Sequence, residues 1–338
     1  MTQTEPERRV GALASEARFC LCESYARVTE RAALAGARWL GRADQDTAET
    51  DASTAMRLAL EHLPINGKVV IGAGGEASHL TTGETLGAGG EDVDLALDPL
   101  EGRGTIVARG GNGAMSMMVV GEPDSIQTLP DMYMRKMAVG PTARGRIDLG
   151  RPLADNVRAI ADAFGRMVND ITTIVLDRPR HHDLIEEIRA SGARIKLIQD
   201  GDVTASISAA IRRTNDHLSI GIGGTRQAVL SAAALRCLGG GLQAQLWPTS
   251  RREVTEAQEA GVEDLERVFG IDDLASGEVI VVATGVSNGD LLRGVRFLAD
   301  SARTHSLVMC TRCNWVRFVD GVHFFARERR EEVRLLGL

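Results

Sequence analysis

Two periods of apolar and polar residues run along this chain, and the switches between them mark out its elements. From residue 19 to about residue 40 the apolar positions fall on one helical face, with small Ala and Gly residues between them, which predicts a closely packed helix. An acidic, Thr-rich stretch holding Asp44, Asp46, Glu49 and Asp51 reads as a loop, followed by a second helix over 52–62. A short strand is predicted at 68–72, then a Gly-rich loop as far as Gly90. The run 92–98 reads as a buried strand carrying Asp94 and ending in Asp98. Pro99 should stop it, because proline fixes φ and has no N–H for a ladder. Glu101 then falls across a tight turn, with Gly102 and Gly104 flanking Arg103. A strand pair is expected over 104–121, and another strand leads from Asp131 to the turn Gly140-Pro141.

Beyond a linker at 148–152 the pattern alternates between helices at 153–165, 181–191, 203–211 and 226–237 and strands at 171–176, 194–198 and 218–222. Such alternation predicts a parallel or mixed sheet with helices on both sides, hence an α/β fold. Residues 251–270 read as a charged surface helix, and strands at 278–283, 304–310 and 315–325 close the body. The expected organisation is an N-terminal extension over 1–18, a first α/β half over 19–150 and a second over 151–338.

Composition narrows the function classes. The 338 residues suffice for a large core, and 43% hydrophobic with 25% charged residues is ordinary for a soluble globular protein. A formal net charge of −7 without a dominant basic patch argues against nucleic-acid binding, and 4% aromatic residues argue against stacking on bases. No apolar run approaches the roughly 20 residues of a membrane span, and the polar start lacks the core of a secretory signal. Five cysteines, an odd number, suggest a reducing, cytoplasmic setting. Cys20 and Cys22 are spaced CxC, and Cys310 and Cys313 CxxC. A four-thiolate zinc site is conceivable from them. The pairs lie at opposite ends of the chain without knuckle glycines, however, so buried free thiols are expected.

The candidate chemistry centres on residues 92–104. An Asp at a strand end and a Glu across a turn put two hard oxygen ligands within reach of one Mg²⁺ or Mn²⁺. Backbone N–H groups of the same loop could face a phosphate held by that ion. Alone, the tetrapeptide Asp98-Pro99-Leu100-Glu101 reads equally as an acidic surface turn, and the context has to decide.

That context is a set of strings in order: Arg27-Val28-Thr29-Glu30, Trp39-Leu40-Gly41-Arg42, Asp98-Pro99-Leu100-Glu101-Gly102, Pro130-Asp131-Met132-Tyr133-Met134, Arg178-Pro179-Arg180-His181, Asp200-Gly201-Asp202-Val203 and Gly221-Ile222-Gly223-Gly224. Ala283-Thr284-Gly285 and Gly289-Asp290-Leu291-Leu292 complete the set. Together they resemble the class II fructose-1,6-bisphosphatases of the inositol-phosphatase-like superfamily, over roughly 19–326. The resemblance implies a layered α-β-α-β-α sandwich and metal-assisted attack of water on a sugar phosphate. It places metal-binding carboxylates at Glu49, Asp98 and Glu101, and substrate contacts at Tyr133, Arg178, Arg180, Asp200 and Asp202. Family members are usually dimers or tetramers, so a homodimer or homotetramer is expected.

The departures from the family fall at the chemistry. Ala73 stands where the family has a metal-binding Glu, Gln227 replaces another, and Arg103 replaces a Thr. The site thereby loses about three negative charges, whereas multi-metal hydrolysis relies on anionic ligands. Three functions follow. One is a diverged Mg²⁺- or Mn²⁺-dependent phosphatase holding fewer ions, with Arg103 as a phosphate clamp. Another is non-hydrolytic chemistry on a phosphorylated sugar, with Glu76, His79 or Asp94 moving a proton. The third is a silent phosphosugar-binding paralogue holding no metal, in which Arg103 pairs with Glu101. Asp94 is placed on the face of Asp98 as support for the metal, and His181 and His182 are expected to cap a helix or face solvent.

Overall fold

The computed structural model describes residues 20–73, 78–212, 214–262 and 264–325. The N-terminal extension and Glu76 lie outside them. Helices α1 (Cys22–Gly36) and α2 (Gln45–Leu60) come first, then strands β1 (Ile65–Ile71), β2 (Thr85–Leu86), β3 (Glu91–Glu101), β4 (Met115–Gly121) and β5 (Tyr133–Val139). Helix and strand then alternate through α3 (Leu153–Phe164), β6 (Thr172–Leu176), α4 (His182–Ser191), β7 (Arg194–Ile198), α5 (Asp202–Ala210), β8 (Leu218–Gly224) and α6 (Thr225–Leu238). The rest comprises β9 (Gly241–Leu246), α7 (Arg251–Glu259), β10 (Val268–Phe269), α8 (Ile271–Leu274), β11 (Val279–Gly285), β12 (Arg296–Phe297), β13 (Ser301–Cys310) and β14 (Trp315–Phe324).

The strands form two sheets. One has the order β12-β13-β11-β4-β3-β1-β2, with β14 paired along the whole of β13, and the other the order β10-β9-β5-β8-β6-β7. The central strands of the first sheet are apolar on both faces because both are covered. Met115, Met117 and Val119 of β4 turn to one core, whereas Met118 and Val120 turn to the other. Val281 and Ala283 of β11 divide from Ile280 and Val282 in the same way. Helices α1 and α2 cover the outer face of this sheet, and α5 and α6 fill the layer between the sheets. Helices α3 and α4 cover the far face of the second sheet. The layers are thus helix, sheet, helix, sheet, helix, as the resemblance implies.

Several local expectations are corrected. The acidic stretch is the first half of α2, not a loop, because Asp44 caps the helix by accepting from the Thr47 N–H at 3.0 Å and its hydroxyl at 2.7 Å. Asp44 is therefore a capping residue. Pro99 does not end its strand either. In β3 the pairing with β4 moves from Asp98↔Met117 to Glu101↔Met115, so the proline lies in a β-bulge. The expected strand at 104–107 is a π-helical turn, Arg103–Val107, opened by Gly102 at φ 82°. The predicted 251–270 helix stops at Glu259, and β9 with the two-residue strands β2, β10 and β12 had no clear period-two signal.

A buried polar chain fixes α1 to the first sheet. Thr29 and Thr284 share a hydroxyl contact of 2.8 Å, Thr284 and Ser306 another of 2.8 Å, and Ser306 donates to Glu30 at 3.4 Å. Thr284→Val keeps the shape and removes the middle hydroxyl, leaving two buried groups each short of one partner. Chemical denaturation should show a loss of about 1–3 kcal/mol; an unchanged midpoint would mean that the chain contributes nothing to stability.

Candidate active site

The bulge in β3 decides which side chains reach the site. Residues three apart on a regular strand point to opposite faces, but the extra residue re-phases the alternation. Asp98 and Glu101 consequently lie opposite Met117 and Met115, both of which face the middle layer. The carboxyl ends of β6, β7 and β8 arrive at the same place. The loop after β6 brings Arg178 and Arg180, the turn from β7 into α5 brings Asp200 and Asp202, and the end of β8 brings Gly223, Gly224, Arg226 and Gln227. A cleft of about 290 Å³ results.

The eight residues that the resemblance places in the site line this cleft, and so does Arg103: Glu49, Asp98, Glu101, Tyr133, Arg178, Arg180, Asp200 and Asp202. Ala73 and Gln227 line it too, so the two positions without a carboxylate face the same space. Sequence reading passed over Arg226 and Lys136. Arg226 sits in the first turn of α6, donates to the Gly72 carbonyl and lines the cleft; the only sequence signal for it was a cation directly after Gly223-Gly224-Thr225. Lys136 is buried and ion-paired with Asp202. A Cβ at position 223 would fall against that pair, which explains the glycine there.

Three carboxylates form the floor. Glu101 accepts the Val203 N–H at 3.0 Å through Oε1 and the Thr204 hydroxyl at 3.1 Å through Oε2. It thereby caps α5, whose own N-cap, Gly201, has no side chain to do so. Burial first, then the charge of Asp98, pushes the Glu101 pKa well above the usual carboxylate range. Glu49 is 2% exposed, and its Oε2 lies 3.4 Å from Arg103 Nη1. Glu49 Oε1 has no hydrogen-bond partner among the described residues. Burial, seconded by Asp98, pushes the Glu49 pKa up to about 7, against the pull of Arg103 and Arg226. Asp98 is raised by burial as well, and the positive charge of Arg226 is the main opposing influence.

The rim is cationic. Arg178 lies 3.8 Å from Asp200, while Arg180 donates to the Ile222 carbonyl at 3.1 and 2.9 Å and stands 4.9 Å over the Tyr133 ring. Helices α5 and α6 both begin at this cleft, so the positive ends of two helix dipoles meet there.

Four expectations change. Arg103 pairs with Glu49, not Glu101, because Glu101 is turned to α5. Asp94 is outside the cleft and accepts the Asp124 N–H at 2.8 Å, holding the turn after β4. His79 is exposed and engaged through its backbone with Ser53 and Arg57, also outside the cleft. His181 is fully buried and its ring bridges the Leu176 carbonyl and the Ile222 N–H at 2.8 Å each, so it is a neutral structural link rather than a cap. Burial lowers its pKa, in keeping with that role.

An acidic floor beneath an arginine rim, set between the layers of an α/β sandwich, is the arrangement that the resemblance to sugar phosphatases implies. The chain belongs to the class II fructose-1,6-bisphosphatase family: the family model described as bacterial fructose-1,6-bisphosphatase, glpX-encoded, matches residues 20–323. It is 41% identical over 324 residues to a Synechococcus protein named D-fructose 1,6-bisphosphatase class 2/sedoheptulose 1,7-bisphosphatase, covering 88% of this chain and 93% of that one. A Microcystis aeruginosa protein of the same name is 38% identical over 335 residues, covering 91% and 97%.

The Glu49 shift has a consequence for stability. Its folded-state pKa lies above the ordinary value of 4.5, so the folded chain holds the proton longer, and stability falls as pH rises from about 4.5 to about 7. The ionised form costs on the order of 3 kcal/mol. In chelator-treated protein Glu49→Gln should therefore raise Tm at about pH 8, and the gain should fade toward pH 4.5. An equal or lower Tm for the variant at the alkaline end would refute this account of Glu49.

Proposed function

We propose that this protein binds a phosphorylated sugar in the cleft and hydrolyses its phosphate ester with one divalent cation, Mg²⁺ or Mn²⁺. The observation that carries the reading is the facing arrangement of the carboxylate floor and the Arg178/Arg180 rim within one cleft. The names of the relatives add the substrate class, a sugar bisphosphate of the fructose or sedoheptulose type.

The free oxygens of the floor fit one ion. Glu49 Oε1 is buried without a partner, and Asp98 stands beside it in the cleft, whereas both oxygens of Glu101 are already engaged by α5. Glu49 and Asp98 would hold the cation, with Glu101 supporting Asp98 through the bulge. Ala73 and Gln227 offer no charge for further ions. When bound, the cation acidifies a water and offsets charge on the phosphoryl group. Arg178 and Arg180 fork onto phosphate oxygens, and the starts of α5 and α6 add N–H donors. Arg103 and Arg226 neutralise charge that further metals would otherwise meet. Asp200 and Asp202 accept from sugar hydroxyls, Asp202 being held in place by Lys136.

A second reading, binding without turnover, is favoured by the Arg103–Glu49 pair, which already gives that carboxylate a cation. Phosphate release from a panel of phosphosugars, fructose 1,6-bisphosphate and sedoheptulose 1,7-bisphosphate among them, separates the two. Hydrolysis should require Mg²⁺ or Mn²⁺. Asp98→Ala should lower kcat/KM about a hundredfold or more, and Arg178→Ala should act mainly on KM. Tight binding of a phosphosugar with no phosphate released from any of them would establish the second reading instead.

A further inference from the structure

Away from the cleft, four of the five cysteines come together. Cys20 precedes α1 and Cys22 opens it, Cys310 ends β13, and Cys313 lies in the turn before β14. The fold overcomes their separation in sequence because α1 packs against β11 and β13. The four sulfurs all lie within 4.8 Å of one another, and Cys20 and Cys310 are 3.8 Å apart. Zinc bound tetrahedrally at about 2.3 Å from each sulfur sets sulfur–sulfur edges of about 3.8 Å. A disulfide would instead require about 2.05 Å.

We infer that Cys20, Cys22, Cys310 and Cys313 form a structural zinc site that clips the start of α1 to the β13–β14 hairpin. Backbone donors lie beside the sulfurs. The Cys313 N–H donates to Cys310 Sγ at 3.2 Å, a contact that fixes a metal-bound sulfur. Asn314, at φ 49°, takes the left-handed turn position that a knuckle glycine would otherwise fill. Helix α1 has Leu21 at its N-cap and no side-chain acceptor there, so its positive end and open N–H groups lie at the cysteines.

Without metal, burial and then Cys20 push the Cys22 thiol up to about 12, and burial raises Cys310 and Cys313 as well. Four neutral thiols gain little from meeting, since S–H is a weak donor. A divalent cation changes this. Zn²⁺ displaces four thiol protons to solvent, four Zn–S bonds form, and the centre carries a net charge of −2. An all-sulfur tetrahedron selects zinc or iron over Mg²⁺ and Mn²⁺. The cluster shares no residue with the cleft, so it serves the fold and not the reaction.

Elemental analysis of the full chain, purified without added metal and washed with a mild chelator, should find one zinc per chain. The zinc should persist in Asp98→Ala and Cys237→Ser proteins. It should fall at least tenfold in the Cys20→Ser/Cys313→Ser protein, with a lower Tm. A mercurial reagent should release it in step with the loss of four thiols. Should the double variant not fold, native protein loaded with cobalt keeps the question open to test. It should show thiolate-to-cobalt charge transfer and the intense visible bands of a tetrahedral all-sulfur site. Any of the following overturns the site: five freely titrating thiols with no metal, two disulfides, iron in place of zinc, or zinc retained by the double variant.

Discussion

Glu101 holds the start of a helix from a strand in a different layer, and the cleft depends on that contact. Its oxygens take the Val203 N–H and the Thr204 hydroxyl, which keys β3 of the first sheet to α5 in the middle layer. Helix α5 follows β7 of the second sheet, so one carboxylate sets where the ends of the two sheets meet. Burying a carboxylate is costly unless donors surround it, and the start of α5 supplies the Val203 N–H, the Thr204 hydroxyl and a positive dipole end. The bulge at Pro99 is what makes this possible. A regular strand would turn Glu101 to the opposite face, away from α5 and from Asp98.

Charge balance explains the rest of the site's composition. Five carboxylates line the cleft, with four arginines, and the buried Lys136 beneath Asp202 makes a fifth cation. The ionised site is therefore formally neutral. A phosphate dianion and one divalent cation enter such a site as a neutral pair and leave its balance unchanged. Two or three cations would not, since Ala73 and Gln227 add nothing to hold them. The raised pKa of Glu49 points the same way, because a carboxylate destabilised by burial gains most from a cation at its partnerless oxygen.

Much of this was legible in the sequence, and the limits have physical causes. The long helices and the β6-to-β8 alternation were clear because each buries one apolar face over many residues. The strings around Asp98, Tyr133, Arg178 and Asp200 brought seven residues to one cleft, and Glu49 and Arg103 join them there. What failed depended on local or distant partners. The bulge overrode the usual effect of Pro99, and the Asp44 cap turned an apparent loop into helix. His181 looked like a helix cap because its partners, Leu176 and Ile222, come from two different strands. Arg226 and Lys136 carried no motif, and their importance lies only in the carboxylates that the fold sets beside them.

The cysteines show the same limit at its largest scale. Spacing alone set the CxC and CxxC pairs far apart, and only the packing of α1 along β13 joins them. On the readings proposed here, one chain sorts two ions by ligand softness. The cleft offers carboxylate oxygen, which suits Mg²⁺ or Mn²⁺ but by itself would prefer zinc on affinity. The sulfur cluster offers zinc a better home at a place where it cannot touch substrate. Arg103 and Arg226 strengthen the separation by lowering the attraction of the cleft for any second cation. Hydrolysis with few anionic ligands and a thiolate clip elsewhere are thus compatible, because thiolates are poor ligands for Mg²⁺ and Mn²⁺ and hold zinc more tightly than carboxylates do.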